Sequence, residues 1–436
     1  MDVIQTPAGF RVEDLPAPLE WLELALPDGW SRAPGPEEDV LVFGQGHLVM
    51  RVRVRPEPRF GIDVEIDNTS EEDLLVTDSP VLVLHSAAPQ LAWLGGATGR
   101  VVLPTPSGVG LFRQWRGNCG PPPGGTAADG IAIFGDGGWV RAGQSLGSGW
   151  RLEVLDGLPQ EPGWLPERCF VTEGDDVDIL APDAAVSTVG LRESSDGDST
   201  TLTGPVGVHP VRLSDARGTT SFDVGWHLQP SEIAAEAVGA ARSDDLAAWL
   251  HVAGSARRVE DRAALDELDM LLGESFEAPT LWGVLAGLRA AATTELPVGG
   301  EAAAAADALL GADPGSELAP ILMAQGVRVT VGPEAARGRP AMDWWAVLTG
   351  DYETLRHRVL EWVDYGLTTS VPPVHGARGV ALACLWLAVH EQSEGQLEVA
   401  RATVRTFARL LAIHSVDPDP QEVAWLLLAD TWLFEA

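Results

Sequence analysis

Between Val40 and about residue 230, apolar residues recur at every second position. Phe60-Gly61-Ile62-Asp63-Val64-Glu65-Ile66-Asp67 alternates without a break, and Met50 to Arg55 alternates with Arg51, Arg53 and Arg55 on one face. A period of two marks strands with one face in a core and the other in water. Val40-Leu41-Val42-Phe43 leads into the second run across Gly44-Gln45-Gly46, a hairpin signal. Similar runs follow at Val109–Trp115, Trp150–Val154 and Phe222–Leu228, with shorter ones at Pro80–His85, Ile131–Phe134, Val177–Leu180 and Val208–Leu213. Asp129-Gly130, Asp136-Gly137-Gly138 and Asp196-Gly197-Asp198 supply turns between them. Many short strands without intervening helices predict an antiparallel β-sandwich over residues 1–230, either one large sandwich or two smaller ones.

Near Pro230-Ser231 the period changes to that of a helix, and Ser231 reads as an N-cap. Amphipathic segments are predicted at 232–241, 244–254, 260–273, 279–292, 301–311, 316–326, 341–349, 351–365, 376–392, 395–414 and 420–434. Leu397, Ala400, Val404, Phe407 and Leu411 mark the apolar face of the segment 395–414. Short connections make neighbouring helices antiparallel. The predicted fold class is therefore an α+β chain of two parts: a β-sandwich domain at 1–230, then an all-α array of helical hairpins at 231–436, solenoid-like or a partial toroid. No repeat of fixed length runs through the helical part.

Charge narrows the possible partners. The 436 residues carry a formal charge of −34, from 29 basic and 63 acidic side chains. Both parts share it: 15 arginines face 33 acids in 1–230 (−18), and 14 face 30 in the remainder (−16). A nucleic-acid reader needs clustered cations, and an anionic membrane surface repels such a chain, so neither is an expected partner. The expected partner is a protein with a basic surface or a small polar ligand. The chain holds no lysine, so every strong base is a guanidinium. Heavy use of Ala, Gly, Pro, Asp and Arg has the character of a high-GC bacterial genome. The first residues, Met-Asp-Val-Ile-Gln-Thr, lack the basic and apolar regions of a secretory signal. With three cysteines, a disulfide-stapled domain is also disfavoured, and a cytoplasmic location is expected.

Two constellations carry candidate chemistry. Cys119 lies in a Gly/Pro-rich segment just after Arg113-Gln114-Trp115-Arg116. Guanidinium groups near a thiol lower its pKa, so Arg113, Trp115, Arg116 and Cys119 are binding candidates. In the helical part, Asp343 precedes Trp344 and Trp345, and Glu361 and Asp364 flank Trp362. Glycoside chemistry requires two carboxylates, and aromatic rings can hold a pyranose. Asp343, Glu361 and Asp364 are thus catalytic candidates, and Trp344 and Trp345 binding candidates. No metal site is expected: His390-Glu391 lacks a second histidine, and no cysteine pair has zinc spacing. Nucleotide, dinucleotide and hydrolase-elbow motifs are missing, so no cofactor is expected.

The order of a large β-sandwich before paired helices resembles, in architecture, that of several glycoside hydrolases and phosphorylases, whose supersandwich precedes an (α/α) toroid. The helical part, at about 205 residues, is short for a full ring of twelve helices. The first functional expectation is a protein-interaction or scaffold protein. The alternative is a carbohydrate-active enzyme, glycoside hydrolase- or phosphorylase-like, or another biosynthetic enzyme, with its site at the domain junction.

Overall fold

The computed structural model describes the chain except for residues 1, 7–8, 36–39, 57–58, 87–90, 96–97, 106–107, 121, 123–129, 136, 156–164, 167, 182–183, 216–217, 255–261, 352–377, 383–396 and 434–436. Antiparallel sheets fill the first part, and helices follow from Pro230. Among the described residues no helix is long and apolar enough to cross a membrane.

The first sandwich pairs two sheets. The larger has eight strands, in the order Leu91–Gly95, Thr98–Thr105, Gly108–Arg116, Ser145–Leu155, Gly61–Asn68, Leu48–Arg55, Val40–Gln45 and Ser31–Ala33. The smaller has five, in the order Asp2–Thr6, Gly9–Glu13, Leu19–Ala25, Val81–Ser86 and Ile131–Ala132. Met50, Val52, Val54, Ile62, Val64 and Ile66 meet Phe10, Val12, Leu22, Leu24, Leu82 and Leu84 in one core. Phe112 and Trp150 stack in that core with ring centroids 5.4 Å apart. The alternation predicted at 50–55 and 60–67 is the alternation observed.

A second, smaller β-unit follows. It combines a four-stranded sheet (Phe170–Thr172, Gly218–His227, Gly207–Asp215, Ala185–Thr188) with a three-stranded one (Val177–Leu180, Ser199–Thr203, Arg192–Asp196). Phe170–Thr172 runs parallel to Gly218–His227, an exception to the antiparallel pattern. The apolar core of this unit is continuous with that of the helices: Val211, Phe222 and Trp226 share one cluster with Ile233, Trp249, Phe407 and Trp425. The change of sequence period at residue 230 thus falls inside a single core.

The first helix is Pro230–Ala240, capped by Gln229 rather than Ser231, with Pro230 in the first turn. The Gln229 N–H donates to Glu232 at 2.9 Å, satisfying a donor that the helix leaves open. Asp244–Gly254 is the central helix, packed against Pro230–Ala240, Arg262–Glu277, Leu281–Thr293 and Pro420–Leu433. The last of these also lies on the first helix. Units of a solenoid touch only their neighbours in sequence, so this closed packing departs from a solenoid. Four indoles tie it together: Trp282 meets Trp249 and Trp425 at 5.8 and 4.7 Å, and Trp425 meets Trp344 at 5.7 Å.

The helix Leu397–His414 covers the four-stranded sheet. Phe407 and Leu411 are buried as predicted, whereas Val404 is half exposed. The buried face instead contains Arg405 and Arg409. Arg409 is 1% exposed and reaches Asp223 on the strand Gly218–His227 at 2.5 Å. Burial pushes the Asp223 carboxyl above its ordinary range, with Arg409 pulling it back, and the same burial lowers Arg409. Beside this pair Ser415 accepts from the Leu228 N–H at 3.0 Å. Burial holds His227 and His414, at the same junction, below their ordinary value of 6.5.

Two predictions follow from this junction. Breaking the pair with Arg409→Ala leaves the Asp223 charge buried and lowers stability by about 3–5 kcal/mol, measured by urea unfolding; a loss below about 1 kcal/mol would show that water reaches Asp223. The histidines act through pH. Their folded pKa values lie below the unfolded value, so their contribution is present above 6.5 and is lost as pH falls through the folded values. The melting temperature therefore drops between pH 7.5 and about 5.5, and His227→Gln with His414→Gln flattens the drop. An unchanged slope in the double variant would assign the dependence to other groups.

Candidate functional site

The outer face of the eight-stranded sheet carries the polar half of the alternation. On Leu48–Arg55 it presents Arg51, Arg53 and Arg55, and on Gly61–Asn68 it presents Asp63, Glu65 and Asp67. The register sets Arg51 opposite Glu65 and Arg53 opposite Asp63. Ion pairs then run on the diagonal, Arg51 to Asp67, and Arg55 to Asp63 at 2.8 Å. The next strands add Arg151 and Glu153, then Arg113, Trp115 and Arg116. Arg113 and Arg59 both donate to the same oxygen, Glu153 Oε1, each at 2.8 Å, and Arg116 reaches Glu65 at 3.2 Å.

Trp115 sits near the centre of this face. A β-bulge between Gln114 and Arg116 turns both Trp115 and Arg116 to the outside. The indole lies over Gly149: a Cβ there would fall 2.5 Å from Trp115 Cε2 and Nε1 and 2.8 Å from Asp63 Oδ1. Gly147 makes the same room for the Arg116 guanidinium, and the Arg151 stem passes over Gly61. These three glycines are in extended backbone, where the need is for space and not for a positive φ. The Arg151 guanidinium stacks on Trp115, 4.4 Å from the ring centroid. Trp115 remains 36% exposed.

The structure thus brings three of the sequence candidates, Arg113, Trp115 and Arg116, onto one face. Cys119 is separated from them. It is 2% exposed, its thiol donates to the Gln114 side-chain carbonyl at 3.5 Å, and it packs with Trp150 against Gly99. The two arginines engage carboxylates on the outer side of the sheet, and the expected activation of the thiol has no geometry to support it. Trp344 and Trp345 are 1% and 3% exposed and belong to the core, so neither offers a ring to a ligand. Asp343 is half-buried on the helix Ala341–Thr349, whereas Glu361 and Asp364 lie outside the described residues. The carboxylates and arginines that sequence reasoning did not single out are Asp63, Glu65, Asp67, Glu153, Arg59, Arg100 and Arg151. Their signal was present, in charged residues at alternate positions interrupted by Gly61, Gly147 and Gly149.

No protein-family model matches the chain, and no curated protein does. Among solved structures the chain is similar to a polysaccharide lyase, with a TM-score of 0.49 and 10% sequence identity, over 88% of this chain and 73% of that one.

The seat under Trp115 can be tested directly. Gly149→Ala drives a methyl into the indole and Asp63, costs about 1–3 kcal/mol by overpacking, and changes the near-ultraviolet circular dichroism. Gly44→Ala, on the same sheet with nothing within 4 Å of its added methyl, is the neutral control. Equal stability of the two variants would show that Trp115 does not rest on Gly149.

Proposed function

We propose that this chain is a saccharide-binding protein, with the outer face of the eight-stranded sheet as its binding platform. The observation that carries this reading is the combination of groups on one rigid face. Guanidinium groups donate hydrogen bonds, carboxylates accept them, and an indole supplies apolar surface between the two. A polyhydroxylated chain asks for that mixture, since each hydroxyl both donates and accepts and each ring has an apolar C–H side. A nucleic-acid backbone offers acceptors only, and the four carboxylates would repel its phosphates. A partner with a basic surface, which the net charge favours elsewhere on the chain, would meet an excess of arginines here.

The face is pre-organised for binding. Its strands are fixed by the core beneath, Gly147 and Gly149 seat Arg116 and Trp115, and Arg151 is held by stacking. Little side-chain entropy is left to lose when a ligand settles. The platform makes the chain a binding protein on this reading, whether or not a reaction takes place elsewhere on it.

A glycan array followed by calorimetry tests the reading. The protein retains one or more saccharides, and Trp115→Ala weakens that binding about tenfold, near 1.4 kcal/mol, with the melting temperature unchanged within a few degrees. An array that retains nothing would overturn it, as would full binding by the Trp115→Ala variant.

A further inference from the structure

The arginines on this face are more numerous than its internal pairing needs. Among the described residues the face carries eight guanidinium groups and four carboxylates, on a chain whose acids outnumber its bases by 63 to 29, and of the eight Arg53 and Arg100 have partners of their own. Three of the eight stand in one row. Register places Arg100 opposite Arg113, and Arg113 opposite Arg151, on three neighbouring strands. Like charges directly opposite one another destabilise a sheet. Glu153 is shared between Arg59 and Arg113, and Arg151 spends its flat face on Trp115; among the described residues no carboxylate lies within ion-pair distance of it. Arg113 and Arg59 keep 51% and 65% of their side chains exposed. Each uses one N–H at Glu153 and keeps most of its five donors.

We infer that the ligand of this face carries carboxylates: an acidic saccharide of the uronic-acid class, held by Arg113, Arg151 and Arg59. The inference rests on the saccharide reading above and adds the charge of the ligand to it. A carboxylate on a sugar ring is planar and takes two parallel N–H bonds from a guanidinium edge. Stacking on Trp115 leaves the Arg151 edges open for such bonds, since the contact uses only its flat face. Neighbouring strands lie about 4.8 Å apart, so Arg113 and Arg151 can close on one carboxylate together. Arg100, 9% exposed behind them, adds charge more than contact. The mixed signs also exclude a ligand that is only anionic: the hydroxyls of the rings donate to Asp63 and Glu65, as phosphate cannot.

The test uses the full chain and three probes in calorimetry at low salt: a galacturonate octamer, the same octamer with its carboxylates methyl-esterified, and poly-glutamate of similar charge. The acid octamer is expected to bind at least tenfold more tightly than the ester, and to weaken several-fold when salt rises from 50 to 300 mM. Arg113→Gln and Arg151→Gln each reduce the preference for acid over ester by about fivefold or more, because they cost the acid octamer more than the ester. Glu153→Gln, which removes the internal competitor, tightens the acid octamer several-fold. Equal binding of acid and ester would overturn the carboxylate inference and leave the saccharide reading standing. Binding of poly-glutamate with neither octamer retained would overturn both and assign the arginine row to an acidic protein. Silence from all three probes would overturn the inference outright. Unchanged circular dichroism in each variant confirms that it has folded.

Discussion

The constraint beneath everything on the first sandwich is the period of a strand. Met50, Val52 and Val54 enter the core together with Ile62, Val64 and Ile66, so the residues between them have only the other side to occupy. A slip of one residue would send Arg51, Arg53 and Arg55 into a space filled by Phe10, Leu22 and Leu24. Burial of the apolar set is worth about 1.5–3 kcal/mol per large side chain, and a guanidinium in its place would cost more than that. The core therefore fixes the register, and the register fixes which charges face each other outside. No outer residue chooses its neighbours: Arg113 stands opposite Arg151 because Phe112 and Leu152 are both in the core. A pairing of like charges can persist because the face beneath it leaves no alternative.

The second half of the chain answers a different problem. The four-stranded and three-stranded sheets bury apolar residues in one core with the helices, which complete it. The contact is made specific by a polar pair. Arg409 and Asp223 are deep enough that burial opposes the charge on both, so replacing the pair by apolar residues would cost little. What the pair supplies is position: a helix that packs by apolar contact alone can slide by a turn, whereas one that must deliver a guanidinium to a single carboxylate cannot. Ser415, receiving the Leu228 N–H nearly two turns further on, fixes the same end of the helix to the strand that leads into the first helix.

Much of this was legible in the sequence, and the limits are instructive. The strands from 40 to 67 and most helices followed from period, because most have one wet and one dry face, whereas Asp244–Gly254 is buried nearly all round. The helix Leu397–His414 was placed correctly, yet its buried face was misread at Val404 and at Arg409, since an arginine in an amphipathic helix gives no sign that its partner lies 186 residues away on a strand. The N-cap moved from Ser231 to Gln229 because the capping role went to the Glu232 side chain, which reaches back. On the site, Arg113, Trp115 and Arg116 were visible as a local cluster. Cys119 was grouped with them by proximity in sequence, and the sheet separates what the chain places side by side. Arg151, Glu153 and Asp63 could not be added without knowing that Gly108–Arg116, Ser145–Leu155 and Gly61–Asn68 are neighbours. The tryptophans at 344 and 345 show the opposite error, in which aromatic residues beside an acid read as a platform and prove to be core.

The absence of lysine gains a physical meaning on this face. An ammonium group at position 151 would be strongly hydrated and could not lie flat on the Trp115 indole; it would stand in water on a flexible stem. Two ammonium groups at 59 and 113 could still share Glu153, but each would offer its remaining hydrogens in no fixed plane. A guanidinium holds its donors in one plane and keeps its charge at any pH the protein meets, so Arg113 and Arg151 present the same edges whatever their neighbours do. Composition alone would supply arginine by default in a chain that never uses lysine. Composition does not explain why three of the 29 stand in one row while the strands around them alternate in sign, or why Gly147 and Gly149 give up their side chains to make room for Arg116 and Trp115. Those glycines cost the sheet β-propensity and apolar contact at positions where any residue that keeps the alternation would pack, and the surface they shape is the one on which the ligand reading rests.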